Sequence, residues 1–167
     1  LRLPMQALAD QVQGAVSVGV VMDMDVVYVE TCTYQDGTLK RPGVGAVRGV
    51  LETAMGRAGL AQLKAAEQGQ FLRRARRDRP QEYARCIDAA RESLEHYGSR
   101  GFAVNLGDSG FGVLAVGVAS RIAYGPRRLL FNCAVPGLQV RGKDLLQKTG
   151  PGLVQLVGLA DRLSVSR

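Results

Sequence analysis

The stretch Gly49-Val-Leu-Glu-Thr-Ala-Met-Gly-Arg-Ala-Gly-Leu-Ala61 decides how the rest of the chain is read. A glycine-rich loop, Arg41-Pro-Gly-Val-Gly-Ala-Val-Arg-Gly49, runs directly into it. Val50, Leu51, Ala54, Met55, Ala58 and Ala61 recur at i, i+3, i+4 spacing, which predicts a helix. Glu52 and Thr53 then fall in its first turn, where a carboxylate complements the positive end of the helix dipole. A loop that becomes a helix leaves several backbone N–H groups without intrahelical partners, so this junction is a ready anion site. The same residues also fit a helix that starts from flexible glycines and binds only water.

Upstream of this stretch, Met5, Leu8, Ala9 and Val12 form one apolar stripe, predicting a short helix over 3–13 that Gly14 stops. Ala15 to Met22 is rich in β-formers. Asp23-Met-Asp25 is a tight connection, and Val26 to Tyr34 alternates as a strand with two unlike faces. Gln35 to Thr38 turns the chain, and Leu39-Lys40 is a candidate short strand. Downstream, Gln62 to Gly69 extends the helix, and Arg73-Arg74-Ala-Arg76-Arg77-Asp-Arg79 reads as a connector. Pro80 opens the next helix, whose stripe is Tyr83, Ile87, Ala90, Leu94 and Tyr97, with Gly98 as its cap. Strands follow at 101–106, 113–120 and 128–135, with a loop at 107–112 and a turn at 121–126. Residues 142–165 read as a final helix that Gly150-Pro-Gly152 should kink or split. Hairpins segregated from helices argue for an α+β fold with an antiparallel sheet.

Composition bounds the function. The chain has 167 residues, 46% hydrophobic and 22% charged, which suits one globular domain rather than disorder. It begins with Leu1 rather than Met, the expectation for a piece of a longer protein. No apolar run reaches the ~18 residues needed to span a bilayer, and no secretory leader is evident. The formal charge of +7 permits polyanion binding. No aromatics interleave with the clustered arginines, so a solvated connector between helices is preferred to a nucleic-acid surface. Cys32, Cys86 and Cys133 are scattered, an odd set that fits a reducing cytoplasm and neither a disulfide framework nor a metal site. The single histidine, His96, belongs to a surface turn at a helix end.

Catalytic motifs are missing. The glycine loop places Gly43, Gly45 and Gly49 at the wrong spacing for a dinucleotide fingerprint, and position 48 is Arg. There is no Gly-Lys-Ser/Thr and no G-x-S-x-G, and one histidine leaves little scope for a triad. Glu82, Asp88, Glu92 and Glu95 form the solvated side of a helix. The expectation is no enzyme, no cofactor and no metal.

Thr53-Ala-Met-Gly-Arg-Ala-Gly-Leu-Ala61 resembles the T-A-x-G-R-A-x-L-A signature in the effector-binding domain of IclR-type bacterial transcription regulators. The order of segments from about Val16 to Leu163 resembles that domain too. The resemblance implies a GAF/profilin-like antiparallel sheet flanked by helices. It makes residues 1–14 the end of a linker helix and 15–167 the effector-binding domain, with a winged helix-turn-helix domain upstream of this chain. The implied partners are a small organic acid effector, DNA through that upstream domain only, and further copies in a dimer or tetramer. Carried over position by position, the ligand contacts fall on the amides of Ala54 and Met55, and on Asn105, Ala115, Asn132 and Ala134. Asn132 and Ala134 share one strand face, with Cys133 on the other. Some members have an acid at the position of Asn105 and serines at those of Asn132 and Ala134. Ala115 brings no polar group, Ala119 stands where proline is expected, and Gly107 and Asp108 occupy the place of a glutamate. These departures point to an effector other than glyoxylate- or pyruvate-like acids. Asn105 and Asn132 can each donate and accept without repelling an anion, although both can equally bridge strand ends. A module with a vestigial pocket that serves only oligomerisation is the alternative.

Overall fold

The alternation that marks Ala15 to Thr33 is realised as a hairpin of β1 (Ala15–Met22) and β2 (Asp25–Thr33). Its tight tip puts Asp23 at φ 59°, a left-handed conformation that Asp tolerates better than most side chains. The computed structural model describes residues 1–35, 42–108, 110, 112–138 and 140–165. The candidate strand Leu39-Lys40, and the turn beyond Gln35, lie outside them. Four further strands complete one sheet: β3 (Val47–Gly49), β4 (Ala103–Asn105), β5 (Val113–Tyr124) and β6 (Arg127–Pro136). The order is β3-β2-β1-β6-β5-β4, and every neighbouring pair is antiparallel.

Strand alternation gives the sheet two different faces. Val16, Val18, Val116, Val118, Phe131, Cys133 and Val135 point to one side. There they pack against α1 (Arg2–Val12), through Met5, Leu8 and Ala9, and against α6 (Gly150–Val165), through Leu153, Leu156 and Val157. Val26, Tyr28 and Leu130 point to the other side, where they meet Met55 and Leu60 of α2 (Ala54–Leu60). Behind α2 stand α3 (Ala65–Asp78), with Ala75, and α4 (Pro80–Arg100), with Cys86 and Ala90. The α+β sheet-and-helix architecture expected from the sequence is the one observed.

Several boundaries differ from expectation. The helix predicted from Val50 begins at Ala54. Val50 N–H still bonds to Met24 O at 3.0 Å, continuing the strand pairing, and Thr53 is the extended N-cap at φ −117°. Val50 and Leu51 are buried as the apolar spacing demands, but on a turn. The arginine run is not a connector. It is the wet face of α3, whose Ala75 is buried while Arg73, Arg74, Arg76 and Arg77 are exposed. Arginine is a good helix former, and its long side chain leaves the inward side to smaller residues. Gly98 does not end α4. The cap is Gly101 at φ 79°, the left-handed conformation glycine adopts without steric cost, with its N–H on Tyr97 O at 2.8 Å. The last two strands run on to a tight turn at Gly125-Pro126, because backbone pairing sustains them where their side chains are exposed. The split expected at Gly150-Pro-Gly152 takes the form of a π-helical turn, Leu145–Thr149, between α5 (Gly142–Asp144) and α6. A widened turn of this kind accommodates a helical proline.

Candidate functional site

The Thr53–Ala61 stretch is built around close backbone approaches. Thr53 Oγ1 accepts the Gly56 N–H at 2.9 Å, capping α2. A Cβ on Gly56 would collide with the carbonyl of Val50, so the turn can fold back over the helix only at glycine. Arg57 is fully buried. Its Nε donates to Leu51 O at 2.9 Å, one terminal nitrogen donates to Val104 O at 2.6 Å, and the guanidinium grips the Asp108 carboxylate. One side chain thus ties the turn before α2, strand β4 and the β4–β5 loop together. The first turn of α2 then rests on β5 at Gly117, where any Cβ would strike the Ala54 carbonyl.

Beside this helix terminus the sheet carries only short side chains. One cross-strand row reads Thr31, Ser17, Asn132, Gly117 and Ala103. The next reads Thr33, Ala15, Ala134, Ala115 and Asn105. On the opposite flank lies the row of Tyr28, Gly19, Leu130 and Ala119, and the Met55 sulfur lies close over Gly19. The helix-facing side of the sheet therefore changes from bulky and apolar to small and polar within one row.

The six residues carried over from the family fall in this region. Asn132, Ala134 and Ala115 belong to the small-residue floor. Ala54 and Met55 supply the first two amides of α2, which have no carbonyl to bond within the helix. Asn105 lies at the edge and its amide is engaged: Nδ2 donates to Glu52 O at 2.6 Å, and Oδ1 accepts the Gly107 N–H at 2.8 Å. It holds the turn before α2 to the loop after β4. Asn132 is also buried, at 6% exposure. Its side chain lies beside the Tyr28 hydroxyl, while its Oδ1 has no hydrogen-bond partner among the described residues. Burial pushes the Tyr28 phenol up, against the charge of Arg48 and the Asn132 bond, so it stays protonated.

Three polar residues in or beside this floor were not singled out from the sequence: Ser17 and Thr31 within it, and Tyr28 at its bulky flank. Ser17 is buried, and its Oγ accepts the Thr31 hydroxyl at 3.0 Å. The signal was a lone hydroxyl at an alternating position in Ala15-Val-Ser-Val-Gly-Val-Val-Met22. Arg57 and Asp108 were missed as the latch of the helix terminus. An arginine within a predicted apolar helix was the visible sign.

A charged network fastens the outside of the turn. Arg85 pairs with Glu52, and Arg79 pairs with Asp25 at 2.5 Å and Glu82 at 3.5 Å. Burial first, then the nearby Glu52 charge, push the Glu82 carboxyl up; Arg79 and the Leu51 N–H oppose them. Cys32, Cys86 and Cys133 are buried and free, and burial pushes the Cys133 thiol up to about 12. Burial pushes the Cys86 thiol up as well, so neither Cys86 nor Cys133 is a thiolate nucleophile. Among the described residues, no group of His, Cys, Asp and Glu is arranged to hold a metal ion, and no helix is long and apolar enough to cross a membrane.

The profile of the family described as bacterial transcriptional regulator IclR C-terminal matches residues 1–144. No curated protein matches the chain significantly. Among solved structures, an IclR family transcriptional regulator from Brucella abortus is similar at 25% identity with a TM-score of 0.84, over 93% of this chain and 59% of that one. This chain thus spans about three fifths of that regulator. The inducer-binding domain of the PobR transcription factor from Acinetobacter, a double mutant in complex with 3-hydroxybenzoic acid, is 18% identical. Its TM-score is 0.76, over 97% of this chain and 95% of that one. The IclR protein of Thermotoga maritima is 16% identical with a TM-score of 0.70, over 93% of this chain and 66% of that one. These relatives are transcription regulators and not enzymes. The chain belongs to the IclR family of bacterial transcription regulators, as its C-terminal, effector-binding domain.

Proposed function

We propose that the small-residue floor under the first turn of α2 binds a small organic acid, and that this binding controls DNA recognition by a winged helix-turn-helix domain upstream of Leu1. One observation carries the reading. Ser17 and Asn132 are buried polar side chains on a sheet face otherwise packed with Val, Leu, Tyr and Met, and no bulky side chain stands in their rows. Buried polar groups are costly in a plain apolar core, whereas a few convergent polar groups on an apolar lining are what a small-molecule site uses. The acid group meets the amides of Ala54 and Met55, where unpaired N–H groups and the helix dipole favour an anion. Ala115 and Ala134 leave room, Asn132 contributes a polar contact, and Asn105 sets the position of the turn. The PobR inducer-binding domain, of the same fold, was solved with a hydroxybenzoic acid, which supports an acid as the class. A ligand that binds two arrangements of the domain unequally shifts the balance between them. The working protein is a dimer or tetramer through this domain.

The test is a thermal-shift screen of the protein against small aliphatic and aromatic carboxylic acids. A ligand of the folded state raises the melting temperature by mass action. A hit that survives titration names the effector class. A second reading has its own support, since Ala115 and Ala134 are apolar and the Asn105 amide is already engaged. A flat response from folded, reversibly melting protein would favour that reading, a vestigial site in an oligomerisation module.

A further inference from the structure

We infer that Asn132 selects an effector carrying a hydrogen-bond donor, a hydroxyl or N–H group, over the otherwise identical acid that lacks one. The inference rests on the site reading above and adds the chemistry of the second contact. Asn132 is nine-tenths buried at the centre of the floor, with its two ends in unequal positions. The Tyr28 hydroxyl lies beside its side chain. The Asn132 Oδ1 is buried with no partner among the described residues. The cross-strand neighbours explain why. On one side is Ser17, whose hydroxyl pairs with Thr31 at 3.0 Å and makes no bond to Oδ1. On the other is Gly117, which has no side chain. The flanking Ala134 and Ala115 have nothing to donate.

A buried acceptor without a donor is a costly arrangement, and native interiors avoid it unless something else completes it. An acid group cannot complete it, because a carboxylate oxygen facing an amide oxygen sets lone pair against lone pair. The acid therefore belongs at the N–H groups of α2, and the part of the effector above Asn132 must present a donor. Met55 covers Gly19 on the apolar flank of the floor, so the body joining the two polar ends lies against apolar surface. The ligand class that follows is a hydroxylated or amino-substituted organic acid, with acid and donor at separate ends.

The experiment compares matched probes on the wild-type protein by calorimetry: benzoate, 3-hydroxybenzoate, 4-hydroxybenzoate and 3-methoxybenzoate, then propanoate and 2-hydroxypropanoate. At least one hydroxylated probe should bind tenfold or more tightly than both its parent and its methoxy counterpart, which can only accept. Asn132→Leu and the smaller Asn132→Ala, each checked for folding by circular dichroism, should reduce that preference to within about twofold. Two results overturn the inference while leaving the site reading intact: parent and hydroxylated acids that bind equally to wild type, or a preference that persists in both variants. Folded wild-type protein that binds none of the probes overturns the site reading, and the inference with it. The wild-type comparison stands even if neither variant folds.

Discussion

A guanidinium with no exposed surface is tolerable only when acceptors surround it, and Arg57 has them: Leu51 O, Val104 O and both oxygens of Asp108. Removing the cation strands two buried carbonyls and leaves Asp108 without its partner, the situation in which buried pairs are most costly to break. Arg57→Met should cost about 3 kcal/mol and lower the melting temperature by roughly 6–12 °C for a chain of this size. Arg57→Lys keeps the charge but not the planar fork, so its melting point should fall between the two. Asp108→Asn should cost less than Arg57→Met, because the Asp108 side chain retains 19% of its surface in water and its loss leaves the two carbonyl bonds intact. Urea melts of the three variants decide this. Equal losses from Arg57→Met and Asp108→Asn would mean that the ion pair, and not the carbonyl bonds, holds the turn. The residue scale also separates the two asparagines. Both were read from the sequence as possible site residues or strand bridges. Asn105 has its amide bonded to Glu52 and Gly107, whereas Asn132 keeps an open acceptor. No pattern of letters distinguishes them, because the difference lies in which backbone groups happen to stand within reach.

Among the elements, α4 sits where charge and packing meet, since its Glu82 presses against Gly49 and accepts the Leu51 N–H at the start of the turn that leads into α2. The folded protein holds the Glu82 proton more tightly than the unfolded chain does. The stability this gives is present at low pH and is lost as pH rises from the ordinary carboxylate range through the raised folded value. At neutral pH the ionised carboxylate is thus a burden on the fold. Glu82→Gln keeps an acceptor for Leu51 N–H and removes the repulsion with Glu52, while Arg79 retains Asp25. The variant should melt above wild type at pH 7, and the gap should shrink on acidification as wild-type Glu82 takes up its proton. A variant less stable at pH 7 would show that the Arg79 contact outweighs burial. Elements of this kind were legible in the sequence to different degrees. The hairpin of β1 and β2 was fully visible, because period-two alternation and a short polar tip admit one reading. The start of α2 was misplaced, because buried Val50 and Leu51 have helical spacing by accident of a turn that doubles back. The arginine-rich half of α3 was hidden because charge density resembles a linker, and only Phe71, Leu72 and Ala75 on its inner side reveal the helix. The tips of β5 and β6 carry exposed side chains, so hydrophobic pattern could not extend them. Gly98 competed with Gly101 for the cap, and the choice depends on φ, which composition does not encode.

Taken as a whole, the molecule places its candidate site and its first helix on opposite faces of one sheet. Met5, Leu8 and Ala9 of α1 share a core with Val16, Val18 and Cys32, while Ser17, between those valines, belongs to the floor beside Asn132. Strand β1 is thus one sheet thickness, with α1 on one side and the proposed ligand on the other. Gln6 adds a direct link, donating to Thr33 O at 2.7 Å. Close-packed interiors transmit small displacements instead of absorbing them, so a ligand that draws on Ser17 and Asn132 should alter how firmly α1 is held. Coupling of this kind is established only when an element responds without touching the ligand. Native-state hydrogen exchange, measured with and without a saturating acid from the thermal-shift screen, provides that test. Protection should rise in β1, β6 and the first turn of α2 through contact. It should also change in the amides of α1, which lie beyond the reach of any ligand on the other face. The exposed helix α3, touching neither, serves as the reference for whatever global stabilisation the ligand confers. If α1 follows β1 and departs from α3, the route from effector to any upstream domain runs through the sheet into the first helix. If α1 follows α3, the ligand stabilises its own face alone, and regulation must leave the domain through contacts between subunits.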